Sequence, residues 1–258
     1  MFKAVPTDML RFPVWMHQFG STSYFYHWSG RQVRWLGLLT ATLFMIGLAG
    51  GLVFAPPDYQ QGDSYRIIYV HVPSAWMSLF AYMVMAAAAV IVLVWRIKVA
   101  EAVMASCAPL GASFTLIALV TGSLWGKPMW GTYWVWDARL TSELLLLFLY
   151  LGVIALDAAI PEKRKAARAT ALLAIVGVVN IPVIHYSVVW WNTLHQGATI
   201  SKLDAPSIHI NMLIPLLVMT VAFMLYFLTV LLMRARVEIL NREKHTHWVN
   251  QLLEKAAT

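Results

Sequence analysis

The sequence predicts an all-α integral membrane protein: six transmembrane helices, with a tryptophan-rich loop on the non-cytoplasmic side between helices 3 and 4. Three observations predict it. Of 258 residues, 60% are hydrophobic and only 12% are charged, whereas soluble domains carry about 25% charged residues. Six apolar runs reach the roughly 20 residues that carry a helix across a bilayer core. The basic residues also fall almost entirely on one side of those runs.

The runs are 35–54, 72–95, 102–124, 140–160, 169–189 and 209–233. Each is expected to be helical, because lipid offers no partner for a free backbone N–H or C=O. Residues 1–34 precede the first run as a polar and aromatic segment, and 234–258 follow the last as a tail. The six-helix unit is therefore 35–233. The first run is too long for a secretory h-region and ends in VFAPP, without a small-x-small cleavage site, so it reads as an uncleaved span. The N-terminal segment, the turn at 96–101, the stretch 161–168 and the tail together hold fifteen Lys and Arg. The opposite loops hold only Arg66, Lys127, Arg139 and Lys202. Positive residues collect on the cytoplasmic side, which puts both termini there and turns the loops 55–71, 125–139 and 190–208 outward. The net charge of +7 belongs to this asymmetry and not to a nucleic-acid surface. A single cysteine, Cys107, leaves no intrachain disulfide and no Cys-x-x-Cys site. No phosphate-binding G-x-x-x-x-G-K-[ST] loop and no His-Glu-x-x-His are present, so neither ATP hydrolysis nor zinc-protease chemistry is expected, and no enzymatic activity is.

The loop at 125–139, WGKPMWGTYWVWDAR, has four tryptophans in its first twelve residues. One tryptophan at a span end is an interfacial anchor. Four, with Gly, Tyr and a carboxylate among them, suggest a platform for a large flat apolar ligand. Trp130, Tyr133, Trp134 and Asp137 are spaced to share one helical face, and a short amphipathic surface helix would present them. Gly126, Pro128 and Gly131 point to an irregular start. His71 lies two residues before Pro73 at the beginning of span two, and His195 lies in the loop after span five. Neutral imidazole is a common axial ligand of haem iron. Two histidines on loops flanking an indole platform therefore suggest a haem site, with an Arg to meet a propionate. His185 within span five and His209 at the start of span six are further imidazoles on or near that side. His17, His27, His245 and His247 read as solvated. Glu143, one turn into span four, is expected to face the bundle interior and to pair with Arg139 at i, i+4.

The stretch W-G-x-x-W-x-W-D, matched by Trp130, Gly131, Trp134, Trp136 and Asp137, resembles the "WWD" signature of haem-handling membrane proteins of cytochrome c biogenesis. Tyr133 occupies a variable position of that signature. The flanking FAPPDYQQGDSYRIIYVHVPSAW and HYSVVWWNTLHQGAT are similar to the heme exporter protein C (CcmC) family, over about residues 35–200. The resemblance implies six spans, a bacterial inner-membrane location and a periplasmic site. It implies that His71 and His195 are the axial ligands of haem b, carried as cargo. It implies that the WWD loop (Trp125, Trp130, Tyr133, Trp134, Trp136, Asp137, Arg139) cradles the haem. Its implied partners are the periplasmic haem chaperone CcmE, the ABC transporter subunits CcmA and CcmB, and the small membrane subunit CcmD. Trp190 and Trp191 are candidates for the wall beside His195, and Arg66 or Arg139 for a propionate. The residues alone leave open a b-type membrane cytochrome, a permease built around Asn180, Pro182 and His185, and a structural subunit anchored by its tryptophans.

Overall fold

The computed structural model describes residues 18–191, 193–195 and 207–257. Among them six helices are long and apolar enough to cross a membrane, and apart from an isolated bridge between Asp58 and Gly62 there is no strand. In chain order they are α1 (Thr22–Ala49), α2 (Ile68–Trp95), α3 (Lys98–Trp130), α4 (Ala138–Ala159), the pair α5 (Lys163–Gly177) and α6 (Asn180–Trp190), and α7 (Ile210–Arg242), with a terminal α8 (His247–Ala257). The protein is a multi-pass membrane protein, as its apolar runs predict. The outer faces carry exposed Trp35, Phe54, Phe80 and Leu172, the pattern of helices solvated by lipid.

Several helices run further than the apolar runs show. Polar residues continue a helix once it leaves the hydrocarbon, so hydropathy underestimates its length. The first starts at Thr22, where the Ser21 hydroxyl accepts from the Tyr24 N–H, and not near residue 35. The aromatic stretch 24–28 is therefore helical, and Phe25 is buried with Val99, Leu232 and Ile239. Its neighbour His27 is exposed, as are His245 and His247. At the other end of α7, helix persists to Arg242, past the residue-233 edge of the apolar run. Span five is broken: α5 ends at Gly177, Val178 and Val179 form a turn, and Pro182 sits in the first turn of α6. Proline is tolerated there because the first-turn N–H groups have no helical acceptor.

α2 and α3 form the central antiparallel pair. Small buried residues of the main core lie along both, among them Ala81, Ala88, Ala89 and Ala108, and such residues let helix backbones approach closely in a membrane. α1 packs on α7, α4 on α3, and α5 on both α2 and α4. Tyr150 fits against Gly111 so closely that no Cβ could be added there, and its hydroxyl donates to the Ser78 carbonyl at 2.7 Å. At the end of the bundle bearing the termini, Glu243 ties four helices together. Its carboxylate accepts from Lys98 (2.6 Å), Thr22 (2.7 Å) and Trp248 (2.8 Å). Burial alone would raise this carboxyl, but those three hydrogen bonds outweigh it and hold the group below the ordinary carboxylate value.

Candidate functional site: a two-histidine aromatic cleft

The tryptophan segment folds the opposite way from its expected pattern. Its start is helical and its end is not. α3 continues through Gly126 and Pro128 to Trp130 and is closed by Gly131 in the left-handed conformation (φ 76°). Glycine adopts that C-terminal cap without a Cβ penalty. Residues 132–137 are irregular, so no surface helix presents Trp130, Tyr133, Trp134 and Asp137 on one face. Asp137 instead caps α4, its Oδ1 accepting from the Leu140 N–H at 2.8 Å.

His71 also lies elsewhere than on a loop. A 3₁₀ turn at Asp63–Ile67 feeds directly into α2, so His71 is helical and only 8% exposed, and Pro73 falls inside the helix. The imidazole reaches across to α3, where its Nδ1 meets the Thr121 hydroxyl at 3.0 Å. Gly122 leaves room for the ring: a Cβ there would lie 3.0 Å from His71 Cε1.

The two histidines come together. Their ring centroids are 6.4 Å apart, with planes inclined by 31°. Trp125 meets His71 edge-on at 5.6 Å, and Trp130 lies 6.2 Å from His195. These four rings line a mostly apolar cleft of about 510 Å³, solvent mouth included, which Leu140 and Leu194 help close. Gln61, also on the wall, accepts from the Trp125 indole N–H at 2.9 Å.

His195 is set by a relay from α4. Thr193 donates its hydroxyl proton to Asp137 Oδ2, and Thr193 Oγ1 in turn accepts from the His195 N–H at 3.1 Å. The aspartate that caps α4 thus also holds the segment bearing the second imidazole.

Other expected residues stand outside the cleft. Tyr133 is 57% exposed with the Lys127 ammonium 5.3 Å over its ring, and Trp136 is 75% exposed. Trp134 packs edge-to-face with Trp136 at 5.3 Å. Its buried indole N–H has no acceptor among the described residues, a state that native interiors rarely leave unfilled. Arg139 donates to the Ile184 carbonyl at 2.9 Å. Arg66 pairs with Asp63 at 2.8 Å and ties down the Gly51 and Ala55 carbonyls. Trp190 stacks on Tyr186 at 5.2 Å, and neither Trp190 nor Trp191 is among the described residues that line the cleft. Glu143 is buried, as expected, but accepts from Ser78 at 2.7 Å, with no ion pair to Arg139 among the described residues. His185 is exposed beside Tyr186, and His209 caps α7 by accepting from the Asn211 N–H. His17 and Lys202 lie outside the described residues.

Thr121, Gly122, Gln61 and Thr193 escaped the sequence reading. A signal existed for the first pair: Thr121 and Trp125, and Gly122 and Gly126, are each one helical turn apart on a helix that carries on past its apolar run.

Two imidazoles and four other aromatic or aliphatic walls suit a metal that brings most of its own ligands. Among the described residues no group of three or more His, Cys, Asp or Glu could hold a bare ion. The fold and the site together define a polytopic membrane protein with a histidine-paired aromatic cleft. The sequence profile described as "CcmC: Heme exporter protein C" matches residues 15–250, a wider stretch than the motifs alone carry. Heme exporter protein C of Escherichia coli K12 is 52% identical over 240 residues, covering 93% of this chain and 97% of that protein. Its namesake in Haemophilus influenzae is 49% identical over 240 residues, 93% and 98% of the two chains. The Bradyrhizobium diazoefficiens protein of the same name is 50% identical over 214 residues, 83% and 81%. The chain belongs to the heme exporter protein C family.

Proposed function

We propose that this protein holds haem b at the periplasmic face of the bacterial inner membrane and passes it to the haem chaperone CcmE for cytochrome c maturation, within a complex with CcmA, CcmB and CcmD. The family's name supports haem export. The charge asymmetry supports the orientation, with both termini cytoplasmic and the cleft outside.

One observation carries the haem reading: the 6.4 Å between imidazole centroids. A metal–imidazole bond is about 2.0–2.1 Å, and a ring nitrogen lies about 1.1 Å from its centroid. Two imidazoles on opposite sides of one metal therefore have centroids about 6.3 Å apart. His71 and His195 are thus spaced to share an iron without backbone movement. Trp125 and Trp130 cover the apolar ring between them. The Trp134 indole N–H, without an acceptor among the described residues, is a donor that a propionate could reach, and the exposed Trp136 ring packed on it offers flat surface at the edge of the site. Asp137, through Thr193, keeps His195 in reach. One ligand comes from a buried helix and the other from irregular chain, so the site can open on one side to let its cargo go.

The test is a spectrum and a transfer. Protein purified in detergent should show a haem absorption band that is lost in His71→Gly and His195→Gly and returns with added imidazole. Haem should leave the wild type when the chaperone is added. Haem that stays bound with the chaperone in excess would indicate a resident b-type cytochrome. Loss of the band in His185→Ala, with both His→Gly variants intact, would overturn the ligand assignment.

A further inference from the structure

We infer that Thr121 is the positioning residue for His71: its hydroxyl oxygen fixes the imidazole as the Nδ1–H tautomer, so that the Nε2 lone pair is presented to the iron. This rests on the haem reading above for its purpose, and on hydrogen-bond accounting for its substance. The Thr121 hydroxyl has one proton, and the Ile117 carbonyl takes it at 2.6 Å. The oxygen that faces His71 Nδ1 at 3.0 Å is then an acceptor, so Nδ1 must be the nitrogen that carries hydrogen. A neutral imidazole protonated on Nδ1 keeps its lone pair on Nε2. Ligating histidines commonly donate their other ring N–H to a fixed acceptor, which sets ring orientation and raises basicity.

The second contact fixes the ring's position. Thr121 and Gly122 are consecutive on α3, and Gly122 lets the imidazole edge lie where any side chain would meet it, at 3.0 Å from a hypothetical Cβ to Cε1. The threonine therefore sets the tautomer, and the glycine sets the distance from α3.

The tautomer can be read without haem. In protein labelled with ¹⁵N-histidine and kept haem-free in detergent, the His71 nitrogen shifts, assigned by comparison with His71→Gly, should report Nδ1–H. Thr121→Val should convert them to a mixture or to Nε2–H, and Thr121→Ser should restore Nδ1–H. Removing a partner of this kind typically costs about 10–100-fold in metal affinity, so Thr121→Val should raise the haem Kd by that factor and Thr121→Ser should return it. An Nε2–H tautomer in the wild type overturns the inference whatever the haem data show. An unchanged Kd in Thr121→Val overturns it too, provided His71→Gly loses haem. If His71→Gly keeps full haem affinity while the tautomer follows Thr121 as described, the hydrogen bond stands and the haem reading fails instead.

Discussion

Gly122→Ala is the smallest change that reaches the His71 ring without removing a polar group. The added methyl would sit 3.0 Å from His71 Cε1, whereas ordinary contacts begin at 3.4 Å, so the ring must retreat by about 0.4 Å. Metal–ligand distances tolerate only about 0.2 Å of error. The iron must then follow the ring away from His195, or one bond must lengthen. A loss of about tenfold in haem affinity, ~1.4 kcal/mol, is the expected result. The effect on the fold should have the other sign, because alanine in a helix interior is favoured over glycine by about 1 kcal/mol. Haem titration and thermal unfolding in the same detergent separate the two. The prediction is weaker haem binding in a protein that melts no lower than wild type. Unchanged affinity in a normally folded variant would refute the close seating of His71 against α3.

The tryptophans should divide by position. Trp125→Ala and Trp130→Ala remove cleft walls and should each lower haem occupancy sharply. Trp136→Ala, at an exposed ring, should lower it less; equal losses in all three, read by pyridine haemochrome assay, would contradict the cleft as described. Thr193→Val removes the acceptor of the His195 N–H, a hydrogen bond worth about 1 kcal/mol. Haem should then dissociate about fivefold faster in stopped-flow competition with apomyoglobin, and an unchanged rate would mean that Asp137 does not act through Thr193. For Glu243, a carboxyl held below its ordinary value stabilises the fold above the unfolded-state value and loses that contribution as pH falls through the lowered one. Melting curves of wild type and Glu243→Gln should therefore differ at neutral pH and converge in acid; a gap that persists at low pH would argue against the ionised network.

Much of this molecule was legible in its sequence, and the parts that were not have physical reasons. The six spans follow from apolar run length, because lipid leaves the backbone no alternative to helix. Their ends do not, because Asp63–Ile67 and Thr22–Arg34 continue helical geometry with residues that hydropathy scores as loop. The helical pattern at Trp130, Tyr133, Trp134 and Asp137 was spurious. Gly131 takes the left-handed cap and stops the helix, a choice one residue can impose on its neighbours. His71 and His195 are 124 positions apart in sequence, and composition cannot say that they meet; their places flanking the tryptophan loop suggested the pairing, and the resemblance to the family implied it. The groups that orient them, Thr121 and Thr193, are single hydroxyls that leave no motif, so they became visible only once the helices were packed. Arg66 and Arg139 show the reverse. Each is a candidate partner for a ligand's carboxylate, and each also holds backbone carbonyls that no motif announces.

The most direct test of the central claim, that one iron is held by the imidazoles of residues 71 and 195, is electron paramagnetic resonance of the oxidised, haem-loaded protein. The expected result is a low-spin ferric signal from two imidazole ligands. That signal should be lost in His71→Gly and in His195→Gly, and should return when imidazole is supplied. A low-spin signal that survives both substitutions unchanged would show that the iron is held by other groups.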